Sequence, residues 1–99
     1  MSLGSGKNEF TQSSGNVFND LGFSAEEADN LRIRSQLMIA ITRLIEQRGM
    51  TQAEAAGLCG VTQPRISDVV RGKIELFTID ALVKMLGYAG VAVDLVIAE

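Results

Sequence analysis

Between Gly49 and Gly72 the chain starts and stops a helix twice, and this punctuation constrains the fold more than any other feature. Thr51 followed three residues later by Glu54 has capping-box spacing, in which each side chain satisfies a backbone N–H of the other residue. The helix opened there runs from Gln52 through Ala53, Ala55 and Ala56, and Gly60 stops it after about two turns. Thr62 offers the next N-cap, Pro64 sits in a first turn where its missing N–H costs nothing, and Gly72 closes this second helix after Arg71. Small Ala56 lets the two helices approach, and Gly60 tolerates the positive φ of a tight turn. Val61 supplies an apolar peg, while Ile66 and Val69 plug the second helix onto the core.

The flanks add three elements. Ser24 and Glu27 repeat the capping-box spacing, with Glu26 and Asp29 also placed to favour a helix start. Leu37, Ile41, Leu44, Ile45 and Arg48 follow at helical spacing up to Gly49. Arg32, Arg34 and Arg43 lie largely off that stripe, either on a solvated face or against phosphate. Thr78 with Asp80 opens a further helix carrying Leu82, Val83, Met85 and Leu86 before Gly87 and Gly90. The period then changes: Val91, Val93, Leu95 and Ile97 alternate with Ala92, Asp94, Val96 and Ala98, which predicts a β-strand over 91–98. Residues 1–16, rich in Ser, Gly, Asn and Gln, read as a tail or an added leader. Val17 to Phe23 read as a short apolar arm on a single domain spanning 17–99.

A lone strand in a helical chain leaves its N–H and C=O groups unpaired, so it needs a partner. The same strand of a second subunit, antiparallel across a twofold axis, is favoured over intrachain pairing with Val17 to Phe23. Val91, Val93, Leu95 and Ile97 are then the dimerisation residues.

Composition excludes several chemistries. The single cysteine, Cys59, and the absence of histidine rule out a disulfide framework or a zinc site of ordinary spacing within one chain, so no metal or cofactor is expected. No nucleophile and base can be paired, and Cys59 reads as a small hydrophobe packed between helices, so an enzyme is not expected. No apolar run reaches the roughly 20 residues that cross a bilayer, and the start lacks a signal sequence; a cytoplasmic protein without membrane association is expected. The net charge is -3, but residues 31–73 carry seven bases against three acids, a basic centre between acidic ends.

With Ile66 and Val69 turned inward, the opposite face of the second short helix offers Thr62, Gln63, Arg65, Ser67, Asp68 and Arg71. Gln pairs bidentately with adenine and Arg with guanine, each worth about 1–3 kcal/mol of discrimination, so Gln63 and Arg65 are the candidate base readers. Ser67 and Asp68 are secondary candidates; Asp68 either accepts from cytosine or pairs with Arg71 three residues on. Gln52, at a helix start, and Thr62, Arg71 and Lys73 are candidates for phosphate contacts. About 6–10 such contacts in a dimer would weaken binding by roughly 10³ to 10⁵ between 50 and 200 mM salt.

The stretch TQAEAAGLCGVTQPRISDVVRGK, residues 51–73, resembles the helix-turn-helix of the phage Cro-repressor type, also called the XRE family: Ala56, Gly60, Val61, Ile66 and Val69 fall in register between an opening TQ and a closing GK. FNDLGFSAEEADNLRIRSQL before it and LFTIDALVKMLGYAGVAVDLVI after it are similar to the HigA-like antitoxin branch. The resemblance implies a lambda-repressor-like helical DNA-binding domain, mostly α, reduced to about four helices plus one C-terminal strand. It further implies a homodimeric repressor on near-palindromic double-stranded DNA, autoregulating a toxin–antitoxin operon and having a toxin protein as a possible partner. Two other readings remain open: a protein-interaction module that keeps the helix-turn-helix as scaffold, and a stand-alone phage-type repressor.

Overall fold

A computed structural model describes residues 22–98. The expected tail, 1–16, and most of the expected arm, 17–21, lie outside the described residues. The described elements are four α-helices, α1 (Ala25–Arg48), α2 (Gln52–Cys59), α3 (Gln63–Val70) and α4 (Ile79–Tyr88), with a single 3-10 turn at Ile74–Leu76.

Helix starts follow the caps written in the sequence. The Ser24 N–H donates to Glu27 Oε1 (3.0 Å) and the Glu27 N–H to Ser24 Oγ (3.2 Å), a complete capping box for α1. At α4 the Ala81 N–H donates to Thr78 Oγ1 (3.1 Å). The ends of α1, α3 and α4 share one device. After α1 the Gly49 N–H donates to Glu46 O (3.1 Å) and the Met50 N–H to Ile45 O (3.1 Å), and the same pair of bonds recurs at Gly72 and Gly90. Gly87 does not stop α4, which runs on to Tyr88 before Gly90 turns the chain.

The chain divides into two compact units, Met1–Ile33 and Arg34–Glu99. In the first, Ala28 is buried and Arg32 lies 3.5 Å from Asp29 in a solvent-exposed ion pair. In the second, Leu37, Met38, Ile41 and Ile45 of α1 join Ala55, Ala56, Cys59, Ile66, Val69, Phe77, Leu82, Met85 and Leu86 in an apolar core with no buried charge among the described residues. Fully burying an aliphatic side chain such as Ile41, Ile66 or Leu82 contributes about 1.5–3 kcal/mol. That core fixes α2 and α3 as a pair.

The expected C-terminal strand is not found: residues 91–98 carry no strand, and no strand occurs among the described residues. The last backbone bond joins the Val91 N–H to Leu86 O (2.9 Å), after which residues 92–98 are exposed. Alternating side chains make a segment able to pair, but a strand exists only when a second backbone completes the ladder. Within one chain nothing described supplies it; Gly22 and Phe23, the described part of the alternative partner, form no strand either. No helix among the described residues is long and apolar enough to cross a membrane.

Candidate nucleic-acid interface

The helix pair is built by local bonds first. At α2 the Thr51 N–H donates to Glu54 Oε1 (2.8 Å) and the Glu54 N–H to Thr51 Oγ1 (3.1 Å), closing the expected capping box. Ala55, Ala56 and Cys59 point inward and are buried, and burial pushes the Cys59 thiol above its ordinary pKa, so it stays protonated. Gly60 then takes a left-handed conformation, φ 70° and ψ 29°, while the Val61 N–H reaches back to Ala56 O (3.0 Å). The Tyr88 ring lies against Gly60, where an added Cβ would stand 3.1 Å from Tyr88 Cδ2. The turn therefore demands glycine for its φ, and a side chain there would also push the Tyr88 ring aside.

Thr62 occupies the cap position of α3 with extended backbone, φ -81° and ψ 160°, but its side chain makes no capping bond. Pro64 explains this in part, since it removes one of the N–H groups a cap serves, and the Arg65 N–H bonds to Thr62 O instead (3.1 Å). The Thr62 hydroxyl is left exposed at the helix start.

Ile66 and Val69 face the core, as the spacing predicts. At about 100° per residue, the direction opposite their midpoint falls on Pro64 and Arg71, with Ser67 and Asp68 about 50° to either side. Gln63 lies about 90° from the core direction and Arg65 only about 70° from it. Burial agrees with this placement: Thr62, Gln63, Pro64 and Arg71 are exposed, whereas Arg65, Ser67 and Asp68 are half-buried. Gln52 and Lys73, at the start of α2 and in the loop after α3, are half-buried as well. Asp68 and Arg71 make no ion pair, so the intrahelical alternative for Asp68 is not adopted.

Two arginines differ from their expected settings. The Arg65 guanidinium carbon sits 4.3 Å from the centroid of the Phe77 ring, a cation–π contact against a residue that is 2% exposed. Arg34 turns to the protein rather than to a solvated face: its Nη1 donates to Ile74 O (3.1 Å) and Phe77 O (3.2 Å). Arg34 precedes Leu37 by three residues and Ile41 by seven, which places it on the buried stripe rather than off it. Both arginines hold the loop after α3, Arg34 through the carbonyls and Arg65 through the ring. Neither Phe77, which holds Arg65, nor Pro64, on the outward face, stood out in the sequence.

A helix-turn-helix domain family model matches residues 17–98. A solved structure described as an XRE family transcriptional regulator matches with a TM-score of 0.67 and 27% sequence identity, over 74% of this chain and 82% of that one. No curated protein matches.

Proposed function

Because this chain belongs to the helix-turn-helix domain family over residues 17–98, we propose that it is a sequence-specific DNA-binding transcriptional regulator, acting as a dimeric repressor and as the antitoxin that autoregulates a toxin–antitoxin operon. The observation that carries the DNA-binding part is the outward face of α3, where Gln63, Pro64 and Arg71 are exposed on a helix locked to α2 through Gly60. The solved regulator of similar fold supports the same reading. The antitoxin role rests on the likeness of the flanking segments to HigA-like antitoxins.

In this reading α3 enters the major groove with its N-terminal turn leading. Gln63 pairs with adenine, Ser67 and Asp68 reach base edges, and the Pro64 ring offers an apolar surface to a thymine methyl. Gln52, Thr62, Arg71 and Lys73 hold phosphates and set the register. Arg65 reads guanine only by leaving Phe77. That exchange forfeits about 0.5–2 kcal/mol of cation–π energy against about 1–3 kcal/mol of base discrimination. Two copies joined through Val91, Val93, Leu95 and Ile97 present two recognition helices about 34 Å apart to a near-palindromic operator.

Gel shift on the DNA upstream of the protein's own gene tests the proposal. A retarded band that survives nonspecific competitor is expected. No band at physiological salt would leave an interaction module built on the same scaffold. Copurification with the product of a neighbouring gene, and relief of that product's toxicity, test the antitoxin role.

A further inference from the structure

Residues 92–98 have no backbone hydrogen bond to any other described backbone group, yet they expose large apolar side chains, Leu95 at 74%, Val96 at 90% and Ile97 at 69%. We infer that this segment pairs with the same segment of a second copy in one register, centred on Leu95 facing its own mate. The inference rests on the dimer proposed above and fixes its geometry.

Symmetry limits the choices. In an antiparallel pair, directly opposed residues point to the same face of the ribbon, and successive residues alternate faces. A twofold axis perpendicular to the ribbon keeps every residue on its own face, so some residue must lie opposite its own mate at the centre. The candidates near the middle are Val93, Asp94, Leu95 and Val96.

Charge and the Gly90 turn then decide. A centre at Asp94 sets two carboxylates directly opposite each other, a destabilising like-charge pair. A centre at Val93 presses the ladder into the Gly90 turn that ends α4, and a centre at Val96 sets apolar Val93 opposite Glu99. Centring on Leu95 sets Val93 opposite Ile97, Ala92 opposite Ala98 and Asp94 opposite Val96, so the segment's carboxylate meets no like charge. Val93, Leu95 and Ile97 of both copies then form one apolar face, and Ala92, Asp94, Val96 and Ala98 the other. Pattern and charge agree on the second copy as the occupant, because the segment complements itself.

Single cysteines read the register in the full-length protein. At the centre, the two Cα atoms stand about 4.5–5.5 Å apart, within reach of a disulfide. One residue away the mates are displaced by about two residues along the ribbon, which puts them about 8 Å apart and beyond that reach. Under mild oxidation Leu95→Cys is expected to form a covalent dimer on a nonreducing gel, whereas Asp94→Cys and Val96→Cys do not; unsubstituted protein, with buried Cys59, is the control. Sedimentation of the unsubstituted protein separates two kinds of failure. A monomer at all concentrations would overturn the dimer itself. A dimer in which Asp94→Cys or Val96→Cys cross-links fastest, or none of the three does, would overturn the Leu95 register alone. Asp94→Asn checks the result without cysteine: dimer affinity changes little in the Leu95 register, and a marked tightening would point to the Asp94 register instead.

Discussion

Replacing Gly60 with alanine probes the hinge on which the interface depends, and the structure separates its two costs. The backbone cost comes from φ 70° and ψ 29°, the left-handed region, which disfavours an L-residue by about 1–2 kcal/mol. Alanine also restricts the unfolded chain, which returns about 0.4–1 kcal/mol, so the net backbone penalty is about 1 kcal/mol. The steric cost comes from Tyr88: a Cβ at position 60 would lie 3.1 Å from Cδ2 and 3.3 Å from Cε2 and Cγ. Tyr88 is 69% exposed, so its ring can shift by a few tenths of an ångström into solvent, and this cost is the smaller of the two. For a domain of this size about 1 kcal/mol corresponds to a fall of about 4–8 °C in Tm. Thermal and urea unfolding of Gly60→Ala, Tyr88→Ala and the double variant measure both contributions in one cycle. A penalty that persists undiminished in the Tyr88→Ala background assigns it to the backbone. An unchanged or raised midpoint for Gly60→Ala would refute the reasoning, because it would mean that the turn does not need its left-handed residue.

Three further substitutions follow from the same geometry. Arg34→Met removes the donor of two bonds to Ile74 O and Phe77 O and should cost about 1–3 kcal/mol in urea unfolding, since partly buried carbonyls lose a charged partner. An unaltered midpoint would mean that water replaces the guanidinium without loss. Gln63→Ala should relax base preference at one operator position by about 1–3 kcal/mol while Lys73→Ala weakens all sequences alike, as judged by binding to a panel of operator variants. Uniform losses from both would remove Gln63 from the readers. Cys59, held protonated by burial, should resist iodoacetamide in the native protein at mildly alkaline pH and react rapidly in urea. Because its folded pKa is raised, the unfolded thiol ionises first, so this group's contribution to stability falls as pH rises through the unfolded thiol's pKa. Rapid alkylation of the native protein would contradict its burial.

What could be read from the sequence was local. Ser24 with Glu27 and Thr51 with Glu54 cap their helices as their spacing predicts, because a capping bond joins residues three apart and needs nothing from the rest of the chain. Thr62 was legible as a position but not as a bond, since Pro64 changes which N–H groups remain to be capped. Arg34 was obscured for the opposite reason: its acceptors lie 40 and 43 residues away, and only the folded core brings those carbonyls to α1. Arg65 was read correctly as a cation on α3. Its direction depends on Phe77, which reaches it only after Gly72 reverses the chain. The terminal segment shows the same division, with a pairing pattern in its own residues and a ladder that requires another backbone.

The commitment of these arginines also alters the electrostatics of binding. A count over residues 31–73 gives seven bases, but Arg32 is engaged by Asp29, Arg34 by two carbonyls and Arg65 by an aromatic ring. In the proposed complex, Arg71 and Lys73 on and just after α3 are the cations left for phosphate, which would make about four ionic contacts in the proposed dimer. The logarithm of affinity then falls with the logarithm of salt at a slope of about -4, and affinity drops about 10²-fold between 50 and 200 mM, less than the charge count alone suggests. A monomer would have half that slope, so the same titration separates one copy from two. A measured loss above about 10³-fold would show that Arg65 leaves Phe77, or that arginines of α1 reach the backbone, when DNA is bound.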